Sequence, residues 1–191
     1  MISQIPKENL LYPLPELNLE NVFIAGGALR SSLIDERYSD IDIFSTENKY
    51  LDEFMETLTD WELVYDAEKL KTLRKGNDKI QLIFREYESI ESCLDTFDFT
   101  ICQFAMNNEG LFCNPESLIH LFRKRLVVHK INPEWAYDTL RRLQKYIKAG
   151  VTICDGGLAD IVSAIREATD EQIENGLSIY PDGTKRIIRF D

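Results

Sequence analysis

The alternation of apolar and polar residues early in the chain predicts its first folded elements. A β-branched and aromatic run at 21–25 predicts a strand that ends at Gly26-Gly27. The helical spacing of 27–34 follows directly, and 39–44 (SDIDIF) predicts a second strand. This stretch therefore predicts a strand, a glycine turn, a helix and another strand, in that order.

The second of these strands carries two carboxylates, Asp40 and Asp42. Residues i and i+2 of a strand point to the same face, so we expect these side chains to project together and Ile41 and Ile43 to point into a core. Adjacent carboxylates repel one another unless a cation lies between them. Because oxygen-only ligands suit Mg²⁺ or Mn²⁺, the pattern indicates a divalent-metal site beside a glycine turn that can hold phosphates.

The rest of the chain combines strand-like alternation with segments of helical spacing. Residues 1–20, which include two prolines, predict an extended lead-in, and 177–190 predict a closing hairpin around Pro-Asp-Gly. Further strands are predicted at 61–65, 70–74, 79–85, 98–106, 111–113 and 126–129, and further helices at 47–59, 116–125, 133–149 and 156–168. A mixed sheet followed by helices is an α+β arrangement.

Composition agrees with a globular chain and limits its partners. Hydrophobic residues make up 44% of the 191 residues, which suits one domain with a small appendage. The net charge of −11 argues against a protein that grips nucleic acid over its whole surface. Residues 119–150 nevertheless hold eight Lys and Arg against two acids, a net of +6. This region is either a local site for phosphate or RNA or a solvated helix face.

No segment predicts a membrane partner or an oxidising compartment. The sequence has no run of about 18 apolar residues, and its first residues lack the pattern of a secretion signal. The four cysteines are scattered without a CxxC pair, which predicts reduced thiols and neither a disulfide nor a zinc framework. A cytoplasmic location is therefore expected.

Four motifs, in order along the chain, resemble one enzyme family. Gly26-Gly27-Ala-Leu-Arg30 followed by Asp40-Ile-Asp42 resembles the GGxxR…DxD signature of the DNA polymerase β-like nucleotidyltransferases. The segment 98–106 (DFTICQFAM) is similar to the RRDFTINALA segment of class II CCA-adding enzymes and bacterial poly(A) polymerases. Asn114-Pro115 with the helix after it, and 136–153 ending in Gly-Val-Thr-Ile, are similar to later motifs of that family, the second to its neck helix.

The resemblance implies both a fold and a reaction. The fold is a polymerase β-like head, a mixed five-stranded sheet with helices, followed by a short helical neck. On this chain the head is expected over 1–130, and the neck with a C-terminal hairpin over 131–191. The reaction is transfer of a nucleoside monophosphate from an NTP to an acceptor hydroxyl.

The resemblance also implies roles for individual residues. Asp40 and Asp42 would hold two Mg²⁺ or Mn²⁺ ions that clamp the α-phosphate and activate the attacking hydroxyl. The amides of Gly26 and Gly27 would meet the triphosphate, and Arg30 would contact phosphate or pin the catalytic strand by an ion pair. The remaining nucleotide contacts are expected from Asp98, Asp138 and Arg141.

Two of the departures from the family pattern bear on nucleotide recognition. Thr96-Phe97 stand where the family has two arginines in its ribose-recognising motif, just before Asp98. The family's base-reading EDxxR corresponds to 137–141 (YDTLR) or, counted back from Gly150, to Glu134-Trp135. Within 137–141, the Asp and Arg are therefore either a base reader that selects ATP or CTP or an i,i+3 ion pair on a helix.

Three hypotheses follow for the activity. The first is metal-dependent transfer of AMP or CMP to a hydroxyl, with an RNA 3′ end as the expected acceptor. The second is transfer to a protein side chain or a small molecule, which the acidic charge favours. The third is a non-catalytic module that binds a nucleotide or a partner, which the missing arginines favour. All three leave open whether the chain forms an oligomer.

Overall fold

The structure is a computed structural model that describes residues 2–172, so the predicted hairpin at 177–190 lies outside the described residues. The chain forms two compact units. Among the described residues, the first unit comprises 2–97 together with 101–119, and the second comprises 98–100 together with 120–172. The predicted division into head and neck at residue 130 stays a prediction.

An eight-stranded mixed sheet forms the centre of the first unit. Its spatial order is β1-β8-β7-β2-β3-β6-β5-β4, and the pairing is antiparallel except between β3 and β6. The strands are β1 (Ser3–Ile5), β2 (Val22–Ala25), β3 (Ile41–Ser45), β4 (Glu62–Ala67), β5 (Leu70–Lys75), β6 (Asp78–Glu86), β7 (Phe104–Met106) and β8 (Leu111–Cys113).

The predicted α+β class is confirmed, although the sheet has eight strands where the resemblance implied five. One edge gains β1, because the lead-in predicted as merely extended pairs with β8. The opposite edge ends in the hairpin of β4 and β5. The next hairpin turn, between β5 and β6, places Gly76 at φ +58, a left-handed conformation that favours glycine.

Helices complete the first unit: α1 (Gly27–Leu33), α2 (Asn48–Thr57), α3 (Ile90–Leu94) and α4 (Pro115–Phe122), the last of which crosses the boundary at residue 119. The two isoleucines of β3 that the alternation directed into a core, Ile41 and Ile43, are fully buried, as is Leu82 on neighbouring β6. The amphipathic spacing of α2 buries Leu51 and Phe54. The hydrophobic pattern of the sequence therefore sets the sheet core.

The second unit contains a short parallel pair, β9 (Arg125–Leu126) and β10 (Thr152–Ile153), and two helices, α5 (Ala136–Lys148) and α6 (Asp155–Glu167). The side chain of Asn132 accepts a hydrogen bond from the Glu134 amide, and Pro133 opens a turn of 3₁₀ helix that leads into α5. Gly150, at φ +79, ends that helical segment as its sequence predicted.

The predicted strand over 98–106 is interrupted, and only its end forms β7. Residues 100–102 form a 3₁₀ turn. The reason is a change of hydrogen-bonding partner along the segment. The Thr100 amide donates to Val127 and the His129 amide to Asp98, whereas Phe104 accepts from the Gly26 amide. A continuous strand could not serve both sets of partners.

Within residues 2–172, no helix has the length and the apolar character that crossing a bilayer requires.

Candidate active site

The two predicted metal ligands lie at the start of β3. Asp42 stands opposite Ala25 of β2 and opposite Gln81 of β6. Asp40 comes directly before the strand, and both aspartates are partly exposed, in contrast to the buried Ile41 between them. Because Ala25 precedes the glycine turn, this register brings the carboxylates beside that turn.

The Asp40 carboxylate contacts one charged and one uncharged side chain. Lys79 Nζ lies 3.0 Å from its Oδ2 atom, and the Ser39 hydroxyl donates to its Oδ1 atom at 2.8 Å. The ammonium group offsets part of the repulsion between the two aspartates. Lys79 was not singled out from the sequence. Its proximity to Asp40 depends on the parallel register of β3 and β6, which sequence pattern alone does not provide.

Asp42 borders an apolar cluster of the first unit. The cluster contains Phe23, Ala25, Phe44, Cys93, Leu94 and Ala105. The pKa of the Cys93 thiol is raised to about 12, chiefly by burial, while Arg85 and a hydrogen bond with Tyr87 lower it and the negative charge of Asp42 adds a smaller rise. Asp42 thus lies beside this apolar cluster, since its neighbour Phe44 and its cross-strand partner Ala25 both belong to it.

The glycine turn uses the conformational freedom of Gly26, which has φ +90 and ψ −136. A Cβ atom at this position would lie 3.0 Å from the Phe97 ring, whereas one on Gly27 would meet nothing within 4 Å. The Gly26 amide donates to the Phe104 carbonyl at 2.9 Å. The Gly26 amide is therefore already paired with a backbone carbonyl, and contact of the Gly26-Gly27 turn with a triphosphate stays a prediction.

Arg30 is buried, with 7% of its surface exposed. Its guanidinium donates to the Ser31 hydroxyl at 2.8 Å and lies 3.6 Å from the Glu36 carboxylate. These partners lie at the end of α1 and in the loop after it. The predicted roles of Arg30, contact with phosphate or an ion pair to the catalytic strand, stay predictions.

In the second unit, Asp98 forms an ion pair that the sequence did not indicate. Arg142 Nε on α5 donates to its Oδ2 atom at 2.6 Å, and the Asp98 side chain is only 8% exposed. The pair fixes the carboxylate that the resemblance assigns to nucleotide binding. Because the two residues are 44 positions apart, local pattern offers no way to find the contact.

Asp138 and Arg141 form the i,i+3 ion pair on α5 that was one of the two interpretations, with 3.4 Å between Arg141 Nη1 and Asp138 Oδ1. Their side chains are 26% and 45% exposed. Both groups therefore stay accessible, and a contact with a base stays a prediction.

The predicted site residues thus fall into two groups. Asp40, Asp42, Gly26, Gly27 and Arg30 belong to the first unit, and Asp98, Asp138 and Arg141 belong to the second. In the part of the chain that the structure describes, no three or more His, Cys, Asp or Glu side chains come together as metal ligands. The available donor set is the aspartate pair. Two carboxylates fit Mg²⁺, which in nucleotide sites takes its other ligands from water and substrate phosphates.

Solved structures share this fold. A CCA-adding enzyme of Thermotoga maritima complexed with tRNA is 20% identical and superposes with a TM-score of 0.58 over 82% of this chain and 42% of its own. A CCA-adding enzyme in complex with ATP gives a TM-score of 0.63 at 20% identity over the same shares. A tRNA nucleotidyltransferase complexed with a primer tRNA and an ATP analogue gives 0.62 at 21% identity, covering 81% of this chain and 51% of its own. The chain matches about half or less of each.

Sequence comparison leads to a different kind of relative. A protein of Bacillus phage SPbetaL7, "Gabija anti-defense 2", is 28% identical over 160 residues, which are 80% of this chain and 39% of the relative. The chain thus spans about two-fifths of the length of that relative. The model of the Gabija anti-defense 2 family matches residues 1–124, well over half of the chain. The chain belongs to the Gabija anti-defense 2 family.

Proposed function

We propose that the chain transfers a nucleoside monophosphate from an NTP to an acceptor hydroxyl, and that this reaction counteracts the Gabija defence. The observation that carries the proposal is the register of β3. It places Asp42 between Ala25, the last residue before the glycine turn, and Gln81, with Asp40 two residues away. In a fold shared with CCA-adding enzymes, this arrangement suits nucleotidyl transfer better than a structural role.

In the proposed reaction, the acceptor hydroxyl attacks the α-phosphorus, the bond to pyrophosphate breaks, and the hydroxyl proton leaves to solvent. Asp40 and Asp42 would hold Mg²⁺ or Mn²⁺, which supplies positive charge to the reacting phosphate. The amides after Gly26 would bind the triphosphate at the start of α1. Lys79 keeps Asp40 in place through its ion pair.

The second unit would contribute to nucleotide choice. Asp98, fixed by Arg142, would contact the nucleotide, and Asp138 with Arg141 would select ATP or CTP by pairing with the base edge. The basic 119–150 region would bind phosphate or RNA. Action in the cytoplasm and the formation of an oligomer belong to the same proposal.

The family name bears on the acceptor. The CCA-adding relatives are seen with tRNA, whereas the phage relative is named for anti-defence. We therefore favour transfer to a hydroxyl of another RNA, a protein or a small molecule over the processing of tRNA. A second candidate function is a non-catalytic module that binds a nucleotide or a partner. It is favoured by Phe97, which lies against Gly26 at the position where the CCA-adding enzymes have an arginine of their ribose-recognising motif.

The test incubates the protein with each α-labelled NTP, Mg²⁺ or Mn²⁺, total RNA and total protein. The Asp40→Ala/Asp42→Ala variant is compared with Asp52→Ala/Asp60→Ala, a matched control that removes two exposed acids of the same unit, each paired with a lysine. We expect label on an acceptor from wild type and control, and none from the first variant. NTP binding by calorimetry without any transfer would support the non-catalytic module instead.

A second arm of the test measures phage growth on bacteria that carry the Gabija defence. Wild type and control are expected to restore phage growth, and Asp40→Ala/Asp42→Ala is expected to fail. Rescue by that variant at equal protein level would contradict the link between nucleotidyl transfer and anti-defence.

A further inference from the structure

We infer that a cavity beside Asp40 is the acceptor subsite of this chain, and that it takes an uncharged or cationic hydroxyl compound rather than a polyanion. The inference rests on the proposed function and adds the place and the chemical class of the acceptor. The cavity, about 300 Å³ in volume, lies in the first unit and is lined by Tyr12, Arg37, Tyr38, Ser39, Asn77 and Asp78.

Two links tie this cavity to the predicted catalytic carboxylate. Ser39 lines the cavity and donates its hydroxyl hydrogen bond to Asp40. Asp78 also lines it, and the next residue, Lys79, forms the ion pair with the other carboxylate oxygen of Asp40. Ser39 therefore touches both the cavity and the Asp40 carboxylate.

The strand order places this cavity on the side expected for an acceptor. The glycine turn follows β2, which flanks β3 on one side, whereas Asn77 and Asp78 precede or begin β6, which flanks β3 on the other. In phosphoryl transfer the attacking and leaving oxygens lie roughly in line on opposite sides of the phosphorus. With the triphosphate at the glycine turn, the acceptor would approach from the β6 side, where Asn77 and Asp78 line the cavity.

Charge decides the class of acceptor. The first unit carries 22 Asp and Glu against 10 Lys and Arg, a net of 10 − 22 = −12. Lysines near the site already have acidic partners, since Lys71 pairs with Asp52, Lys75 with Asp60 and Lys79 with Asp40. The cavity itself holds one arginine and one aspartate. A nucleic-acid strand needs an excess of basic side chains along its phosphates, and this unit offers the opposite.

The walls fit a single side chain or sugar ring. The rings of Tyr12 and Tyr38 meet edge to face with centroids 5.7 Å apart, and the Tyr38 hydroxyl donates to the Pro13 carbonyl at 3.3 Å. Burial first, and then the charge of Asp78, raise the pKa of Tyr38, so its hydroxyl stays protonated and keeps this hydrogen bond. Two fixed aromatic walls with a rim of hydroxyl, amide and charged groups suit a small polar ligand.

The experiment blocks the cavity and measures transfer. Asn77→Cys, made in a Cys154→Ser background that removes the exposed native thiol, is modified with a biotin maleimide. Glu53→Cys, exposed on α2 of the same unit, receives the same label as the matched control. Transfer from labelled NTP is measured to a basic peptide with Ser, Thr and Tyr, to a neutral sugar and to an RNA oligonucleotide ending in CC.

We expect transfer to the peptide or the sugar in preference to the RNA. Labelling of Asn77→Cys should lower kcat/KM for that acceptor by about tenfold or more, while the Kd for NTP by calorimetry stays unchanged. Comparing transfer to the peptide with transfer to the sugar shows whether the acceptor hydroxyl belongs to a protein side chain or to a small molecule.

Failure of this inference can be distinguished from failure of the proposed function. If the RNA is the best acceptor, or if the blocked cavity leaves transfer unchanged, this inference is wrong and the proposed function stands. If wild-type protein transfers label to none of the three acceptors, this inference is wrong. The proposed function falls with it only if total RNA and total protein also stay unlabelled.

Discussion

The carboxylates of the two units are held in different ways. In the first unit, Asp40 and Asp42 are partly exposed and spaced two apart at the start of a strand, where alternation and sheet register set their direction. In the second unit, Asp98 is nearly buried and tied to the guanidinium of Arg142. The first pair is thus positioned by local strand geometry and stays accessible to solvent, whereas Asp98 depends on a long-range ion pair for its position.

The charges of the two units differ as well. The first unit has a net charge of −12, whereas the rest of the chain holds 12 basic against 11 acidic residues and includes the basic 119–150 region. A nucleic-acid ligand is therefore expected to contact the second unit and an uncharged or cationic acceptor the first, where the metal ions held by Asp40 and Asp42 would offset the charge of the NTP. The following predictions test these two contrasts.

The largest effect is expected at the aspartate pair. Asp42→Asn should lower kcat for transfer by about 10³-fold, because metal ligation contributes several kcal/mol and each 1.4 kcal/mol is about tenfold. Asp138→Asn, at a partly exposed position of α5, should alter selectivity between NTPs with a far smaller loss of rate. Single-turnover transfer with each variant provides the measurement, and equal losses in both would remove the contrast between the units.

Stability should respond strongly at the glycine turn. Gly26→Ala is expected to lower the free energy of unfolding by about 2–3 kcal/mol, because its backbone conformation strains any other residue and the new Cβ atom meets the Phe97 ring. Gly27→Ala, which meets nothing within 4 Å, is the control and should be close to neutral. Urea unfolding compares them; a neutral Gly26→Ala would show that the turn tolerates a side chain.

The ion pairs of α5 should differ in energy although they are adjacent. Arg142→Gln leaves the nearly buried Asp98 without its guanidinium, which should cost about 2 kcal/mol of unfolding free energy. Arg141→Gln removes an exposed pair and should cost about 0.5 kcal/mol or less. Chemical denaturation of both variants tests the ranking, and an equal cost would mean that Asp98 finds another partner.

Selection of the base is expected to depend on Arg141 in spite of its small effect on stability. Arg141→Ala should reduce the preference between ATP and CTP, since the guanidinium can pair with a base edge. Competition between the two labelled nucleotides measures this ratio. An unchanged ratio would leave the Asp138–Arg141 pair as a surface ion pair alone.

The smallest effect concerns the thiols. Burial raises the pKa of Cys93 to about 12 from its usual value of 9.0, so this group stays neutral in the folded chain where it would ionise in the unfolded chain. Its contribution to stability is therefore complete below pH 9 and is lost as the pH rises toward 12. Iodoacetamide at pH 8 should modify the exposed Cys154 and spare Cys93, as peptide mass mapping would show.

The features that the sequence predicted are those encoded locally. The alternation around Asp40 and Asp42 predicted both the strand and its buried isoleucines, and Pro133 and Gly150 marked the two ends of the helical segment that contains α5. These signals arise from contacts within one strand or one helix.

Long-range contacts could not be predicted from such local patterns. The ion pair of Asp98 with Arg142 joins residues 44 positions apart, and that of Asp40 with Lys79 depends on the pairing of β3 with β6. The break in the strand over 98–106 follows from competing backbone partners. No single-sequence pattern reports which distant segment pairs with which, so the acceptor cavity, built from three separate segments, could not be predicted either.

The pairing of β1 with β8 has a consequence for synthesis on the ribosome. Gln4, at the start of the chain, donates to the Glu109 carbonyl 105 residues later, and its side chain would overlap a Cβ atom placed on Gly110. That edge of the sheet cannot close until more than half of the chain has been translated, which makes late, non-local pairing a slow step. An affinity tag is therefore better placed elsewhere than directly before Ser3, where it would compete with this closure.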